Sequence, residues 1–203
     1  MHSDCRSKTL LVILLSASLL ATGCSPQWIS AALADLPLLT QMALNIGTLV
    51  TTLQTGNQIS SNDAAAIRNL SNETSKDLNL LRTLYDEYQA NPGDASIQKI
   101  QSAITAMNQN LPSLLLAAHI GNPVVSARIS AAVNLILTTV DGFAQLVPPA
   151  GGAPRSKLAA IRMGGKKASI PKADSLKNEW NHQVCGPSGK PPLDEAFAAC
   201  NLK

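Results

Sequence analysis

From Trp28 onward, apolar residues recur at steps of three and four. The first run is Ile29, Ala32, Leu36, Leu39, Ala43, Ile46, Val50 and Leu53. The second is Ile67, Leu70, Thr74, Leu78, Leu81, Tyr85 and Tyr88. The third, Ile97, Ile100, Ile104, Met107, Leu111, Leu114 and Ala118, alternates three and four without a break. The fourth is Val125, Ile129, Ala132, Ile136, Val140, Phe143 and Val147. Such spacing lays one apolar stripe along one side of a helix. No β-branched alternation of period two appears. The pattern predicts an all-α chain with four main helices, each of roughly 25 residues and close to 38 Å long.

The breaks between the stripes are turn chemistry. Thr55-Gly56-Asn57 ends the first helix, and Ser61 or Asn62 is placed to cap the second. Asn91-Pro92-Gly93-Asp94 separates the second from the third. Gly121-Asn122-Pro123 precedes the fourth, with Asn122 as N-cap and Pro123 at the first helical position. Short loops make neighbouring helices antiparallel, so the expected architecture over 28–147 is an up-down four-helix bundle. Pro37 and Pro112 each remove a backbone donor. The stripe passes Pro112 without a phase change, which predicts a kink there. Pro37 predicts either a kink or the true start of the first packed helix. None of the segments offers 18 uninterrupted apolar residues, so a water-soluble bundle is expected.

The chain begins differently. Arg6 and Lys8 precede an apolar run from Leu10 to Leu20, and the small residues Ala21, Thr22 and Gly23 follow. Charge, then grease, then small residues is the order of a secretory signal. The run is too short to span a bilayer as a helix. Leu20-Ala21-Thr22-Gly23-Cys24 resembles the lipobox of bacterial lipoproteins, with Ala21 at the position three before the cysteine and Leu20 one step earlier. The resemblance covers residues 1–25 only. It implies a signal peptide over 1–23, a lipidated Cys24 as the mature N-terminus, and a tether over 24–27. The other readings are a secretory signal cut elsewhere and an uncleaved anchor. The family resembled carries three acyl chains, whereas one alone binds only marginally. Ser25 stands where an Asp would favour inner-membrane retention, so the resemblance favours the outer membrane over the inner.

Composition changes the picture at the other end. Charged residues are only 14% of the 203, below the roughly 25% usual in soluble proteins, while hydrophobic residues reach 45% and aromatics 3%. The core must therefore be aliphatic and the surface polar but sparsely charged. After Pro148-Pro149-Ala150-Gly151-Gly152 the chain turns basic, with Arg155, Lys157, Arg162, Lys166, Lys167 and Lys172, while residues 25–150 hold more acids than bases. This predicts a Pro/Gly-rich linker over 148–172. Three readings of the basic tail stand: contact with the acidic bundle, contact with an anionic surface such as lipid head groups, or simple solvation. Asp174 to Val184 and Asp194 to Cys200 are expected to form short helices joined by a Gly186-Pro187-Ser188-Gly189 turn. Cys5 leaves with the leader and Cys24 takes lipid. Cys185 and Cys200 then remain in an oxidising compartment and are expected to form a disulfide stapling 173–203.

Reactive chemistry is sparse. His182 and Cys185 have an H-x-x-C spacing that Cys200 extends, but no fourth zinc ligand is evident. His119 falls near the end of the third helix, where a cation suits the dipole. Asp86-Glu87 and Asp194-Glu195 are adjacent acids that point about 100° apart on a helix and read as solvated faces. Neither a nucleophile elbow nor a phosphate loop is present: Pro191 follows Gly189-Lys190 where Ser or Thr is needed. No catalytic, cofactor or metal site is expected. Export and the lack of basic residues interleaved with aromatics argue against nucleic acid. The expected function is a non-enzymatic structural or protein-interaction module of the cell envelope. It would be held to a membrane by lipid and would meet an envelope protein partner. The alternative is a small-ligand or lipid-binding lipoprotein with an apolar pocket between helices near Pro37 or Pro112.

Overall fold

The computed structural model describes residues 27–148 and 172–203. The described residues form six helices: α1 (Gln27–Thr55), α2 (Ser61–Ala90), α3 (Asp94–Ala117), α4 (Pro123–Ala144), α5 (Ala173–Gln183) and α6 (Pro191–Ala198). There is no strand among the described residues. The expected leader 1–23, the acylation at Cys24 and nearly all of the expected linker lie outside the described residues.

Each stripe is buried except at Leu114 of α3, which is half-buried against the core. Ile29, Leu36, Leu39, Ile46 and Leu53 of α1 face inward with Ile67, Leu70, Leu78 and Leu81 of α2. Ile100, Met107 and Leu111 of α3 join Val125, Ile129, Ile136 and Val140 of α4 in the same core. α1 packs against α2 and α4, and α3 packs against α2 and α4, so the four form a helical bundle. Each such aliphatic side chain contributes about 1.5–3 kcal/mol on leaving water. The aromatic exceptions, Tyr85, Phe143, Trp180 and Phe197, are among the largest fully buried side chains. α1 and α2 approach closely at Gly47, where an added Cβ would lie 3.1 Å from Ser71 Oγ. That hydroxyl donates to the Ala43 carbonyl across the crossing at 2.7 Å. Thr74, a polar member of the second stripe, donates to the Leu70 carbonyl of its own helix at 2.7 Å and so enters the core satisfied.

Helix ends follow the turn chemistry with one shift. The N-cap of α2 is Ser60, whose Oγ accepts from Asp63 N at 3.1 Å, in place of Ser61 or Asn62. The helix gains a residue because Ser60 has the extended backbone that lets a hydroxyl reach three residues ahead. Asn122 caps α4 by accepting from Val124 N and Val125 N, with Pro123 opening the helix. Past the ends of α1 and α3, Asn57 and His119 take left-handed conformations with φ of 53° and 40°. His119 thus stands beyond the end of α3.

α1 begins well before Pro37 and runs through it, and α3 runs through Pro112. Pro37 lies on the exposed side of α1, where the carbonyl deprived of its partner can turn to solvent. It is not a helix start.

α1 holds a single charged residue, Asp35, which is 7% exposed. Burial raises its carboxyl above the usual carboxylate range. A raised native pKa means that the folded state holds the proton better than the unfolded chain does. This group therefore costs stability at neutral pH, and the cost is relieved as pH falls through the native pKa toward the unfolded value. Asp35→Asn is expected to raise the urea midpoint at pH 7, with the gap from the parent closing in acid. A lower midpoint for the variant at pH 7 would show that the carboxylate is held by a favourable partner.

Averaged over a window that tolerates a charge or two, Ile29–Thr55 and α4 reach mean hydropathies of 1.3 and 1.5, enough in length and composition to cross a membrane. Core helices of water-soluble bundles pass the same test, and both helices bury one face here.

Candidate functional site

The densest polar network joins the bundle to the two C-terminal helices. α5 forms because Leu176, Trp180 and Val184 recur every fourth residue, and all three are fully buried. α6 opens with Pro191-Pro192, which need no N–H in the first turn, and buries Leu193, Ala196 and Phe197. α5 lies on α1 and α4, and α6 lies on α1.

The turn between α5 and α6 is built from its own side chains. Gly186 passes so close to the end of α5 that an added Cβ would meet the His182 carbonyl oxygen at 2.5 Å. Gly189 has φ +77°. Asp194 accepts from the Ser188 backbone N–H at 2.5 Å and from its hydroxyl at 2.6 Å. The Ser188 hydroxyl bond, then its backbone bond, lowers the Asp194 carboxyl below the usual carboxylate range. Asp194 is therefore a turn-holding group, which corrects its reading as a merely solvated acid.

Cys185 and Cys200 lie at disulfide distance, with sulfurs 2.00 Å and Cα atoms 5.7 Å apart, and both are buried. The Cys200 carbonyl accepts from Trp180 Nε1 at 3.0 Å and from Asn45 Nδ2 of α1 at 3.3 Å. Asn181 pairs with Leu202 in both directions: its Nδ2 donates to the Leu202 carbonyl at 2.9 Å, and its Oδ1 accepts from Leu202 N at 2.7 Å.

Arg128 of α4 holds this hairpin from the bundle side. Its Nη1 donates to the Gln183 carbonyl at 2.5 Å and, at a longer 3.4 Å, to the His182 carbonyl. Its Nη2 donates to the Gly186 and Pro187 carbonyls at 3.1 and 3.0 Å. The guanidinium carbon also lies 5.6 Å from the centre of the Phe197 ring. The last carbonyls of a helix lack partners within it and carry the negative end of the dipole. A planar cation with forked donors suits that position better than a point charge would. In this arrangement a bundle cation grips backbone carbonyls of the C-terminal hairpin.

His182 is exposed, and its backbone carbonyl rather than its imidazole takes part. Among the described residues no three His, Cys, Asp or Glu side chains gather as a metal site would require. Nothing in the apolar spacing or the turn chemistry marks Arg128, Asn45 or Asn181 for these contacts. The available signal was that Arg128 is the one cation of α4.

Among the described residues, three open grooves stand out. One of about 520 Å³ runs along α3, lined by Gln98, Gln101, Ser102, Thr105, Ala106 and Gln109. Another, of about 510 Å³, lies where Asn57–Ser60 meets Gly121–Pro123 and Lys190. The third, of about 340 Å³, adjoins Pro112, with Asn69, Glu73, Asp77, Asn110, Ser113 and Leu114 around it. Burial, and then the neighbouring Glu73 charge, raise Asp77 there. Four of its six lining side chains are amides or carboxylates, beside Ser113 and Leu114.

No family model, curated protein or solved structure matches the chain.

Proposed function

We propose that this protein is a lipid-anchored lipoprotein of the cell envelope, acting as a non-enzymatic structural or protein-interaction module. The observation that carries the reading is the leader, with its basic start, apolar run and Leu20-Ala21-Thr22-Gly23-Cys24 ending. The mature chain would begin at Cys24, and α1 begins at Gln27. The anchor would then hold the first turn of the bundle close to the bilayer.

In this reading the body is an antiparallel up-down four-helix bundle, favoured by the short connections between α1 and α4. The tail carries a Cys185–Cys200 disulfide formed after export, and the basic residues between Arg155 and Lys172 meet an anionic surface. Ser25 favours the outer membrane where the cell has one. The bundle face contacts an envelope protein. The module reading suits an exterior whose helices α1, α3 and α4 carry few charges, since uncharged faces meet a partner at little desolvation cost.

The test begins with Cys24→Ala. The variant is expected to leave the membrane fraction almost completely, as judged by fractionation and by loss of acyl mass. Unchanged fractionation refutes the anchor. Pull-down from solubilised membranes should then recover one dominant envelope protein, and recovery of none counts against the interaction module.

A further inference from the structure

We infer that the exposed side of α1 is a membrane-contact surface, on which the bundle lies along the bilayer that holds Cys24. The inference rests on the lipid-anchor reading and adds to it which side of the protein meets the lipid head groups.

One side of α1 stays outside the core, with Ser30, Ala34, Pro37, Gln41, Leu44 and Thr48 following at steps of four and three. The single charged residue of the helix, Asp35, is buried, so this side carries no charge. The 29 residues of α1 make the strip about 43 Å long. The hydroxyls of Thr48, Thr51 and Thr55 donate to the Leu44, Gly47 and Thr51 carbonyls at 3.5, 3.1 and 2.9 Å, so they ask little of their surroundings. Leu44, near the middle, is 49% exposed. α2 by contrast exposes Lys76, Arg82, Asp86 and Glu87.

Reach and charge choose among the faces. Only Ser25 and Pro26 separate Cys24 from Gln27, so the start of α1 stays within about 11 Å of the anchored residue. α3 also exposes uncharged side chains, at Gln98, Ser102, Thr105 and Gln109. However, α1 and α3 each pack against α2 and α4, so they lie diagonally across the bundle. With neighbouring axes 8–10 Å apart, seating α3 on the bilayer would lift α1 roughly 18 Å from it, beyond the tether. Standing the bundle on end is opposed by charge. Ser71 bonds to Ala43 and Arg68 to Gln54, so α2 runs back along α1. Gln27 lies as far before Ala43 as Glu87 lies after Ser71. Asp86, Glu87 and Asp94 therefore share the end from which the tether springs, and standing would press them against the head groups. That costs desolvation and meets repulsion from anionic lipid, whereas lying on α1 brings no charge to the surface. The anchor already confines the chain to the bilayer, so the faces compete only with one another.

The experiment uses the acylated protein purified from membranes and placed on a supported bilayer of zwitterionic and anionic phospholipid. Neutron reflectometry reads the thickness of the protein layer. A bundle lying on α1 gives about 25 Å, and one standing on its end about 45 Å. The expected result is the thinner layer. Ala34→Glu combined with Thr48→Glu adds two charges to the α1 strip and should thicken the layer toward the standing value. Asn72→Glu combined with Asn79→Glu adds the same charge to exposed positions of α2 and should leave the layer thin. Circular dichroism confirms that both variants keep their helices. A thick layer from the parent, or a thickness that the α1 variant leaves unchanged, overturns the inference while the anchor stands. A chain that carries no acyl mass and forms no layer overturns the anchor and this inference together.

Discussion

Trp180→Ala should weaken the docking of the C-terminal hairpin by about 3–5 kcal/mol, the usual cost of emptying a large aromatic site. Trp180 is fully buried between α5 and the bundle, so the surrounding side chains cannot follow it into the space left behind. The substitution also removes the indole donor to the Cys200 carbonyl, although Asn45 still serves that oxygen. Trp180→Phe separates the two contributions. It keeps most of the ring packing and loses the hydrogen bond, a net effect of about 1 kcal/mol. Native-state hydrogen exchange at the amides of α5 and α6 reads the change directly. α2 and α3 act as the internal control, because neither packs on the hairpin in the way that α1 and α4 do. A loss below about 1 kcal/mol for Trp180→Ala would show that the indole fills no well-packed site.

Removing the cysteine pair is the second large effect. The two residues are 15 apart in sequence, and closing a loop of that size restricts the unfolded chain by about 3 kcal/mol. A Cys185→Ala, Cys200→Ala double variant should therefore lower the free energy of opening α5–α6 by about that amount. Alanine is the right replacement because both sites are buried, and serine would leave a hydroxyl in need of a partner. The chemical counterpart is a thermal melt with and without a phosphine reductant. Reduction should reproduce the variant, and slowly, since the sulfurs are shielded until the hairpin opens. Identical melts, or two thiols that alkylate in the untreated native protein, would defeat the disulfide assignment.

Much of the helical framework could be read in advance because helical periodicity is local. The step of three and four needs only the neighbouring turns to define a face, and Ile97 to Leu111 is buried at each expected position. Asn122 and Pro123 were equally legible, since capping requires a polar side chain and a backbone group within three residues. The short-helix spacing of Leu176, Trp180 and Val184 obeyed the same rule. Ser60 was missed by a single residue because Ser60, Ser61 and Asn62 all have capping chemistry, and only the backbone angle at the turn chooses among them. Pro37 misled for a different reason. Its cost depends on whether the orphaned carbonyl faces water or core, which is a property of packing and not of the dipeptide.

Residue order therefore settles where the described part of this chain is helical and which faces are apolar, because each of these depends on contacts a turn or two away. The role of Arg128 belongs to the assembled molecule. Its guanidinium finds carbonyls 54 to 59 positions further along, and every residue offers an identical carbonyl, so no side-chain pattern marks the ones it will hold. Asn45 is in the same position, reaching a carbonyl 155 residues away. Packing alone brings those backbone groups within reach, and with them the surface on which the hairpin sits.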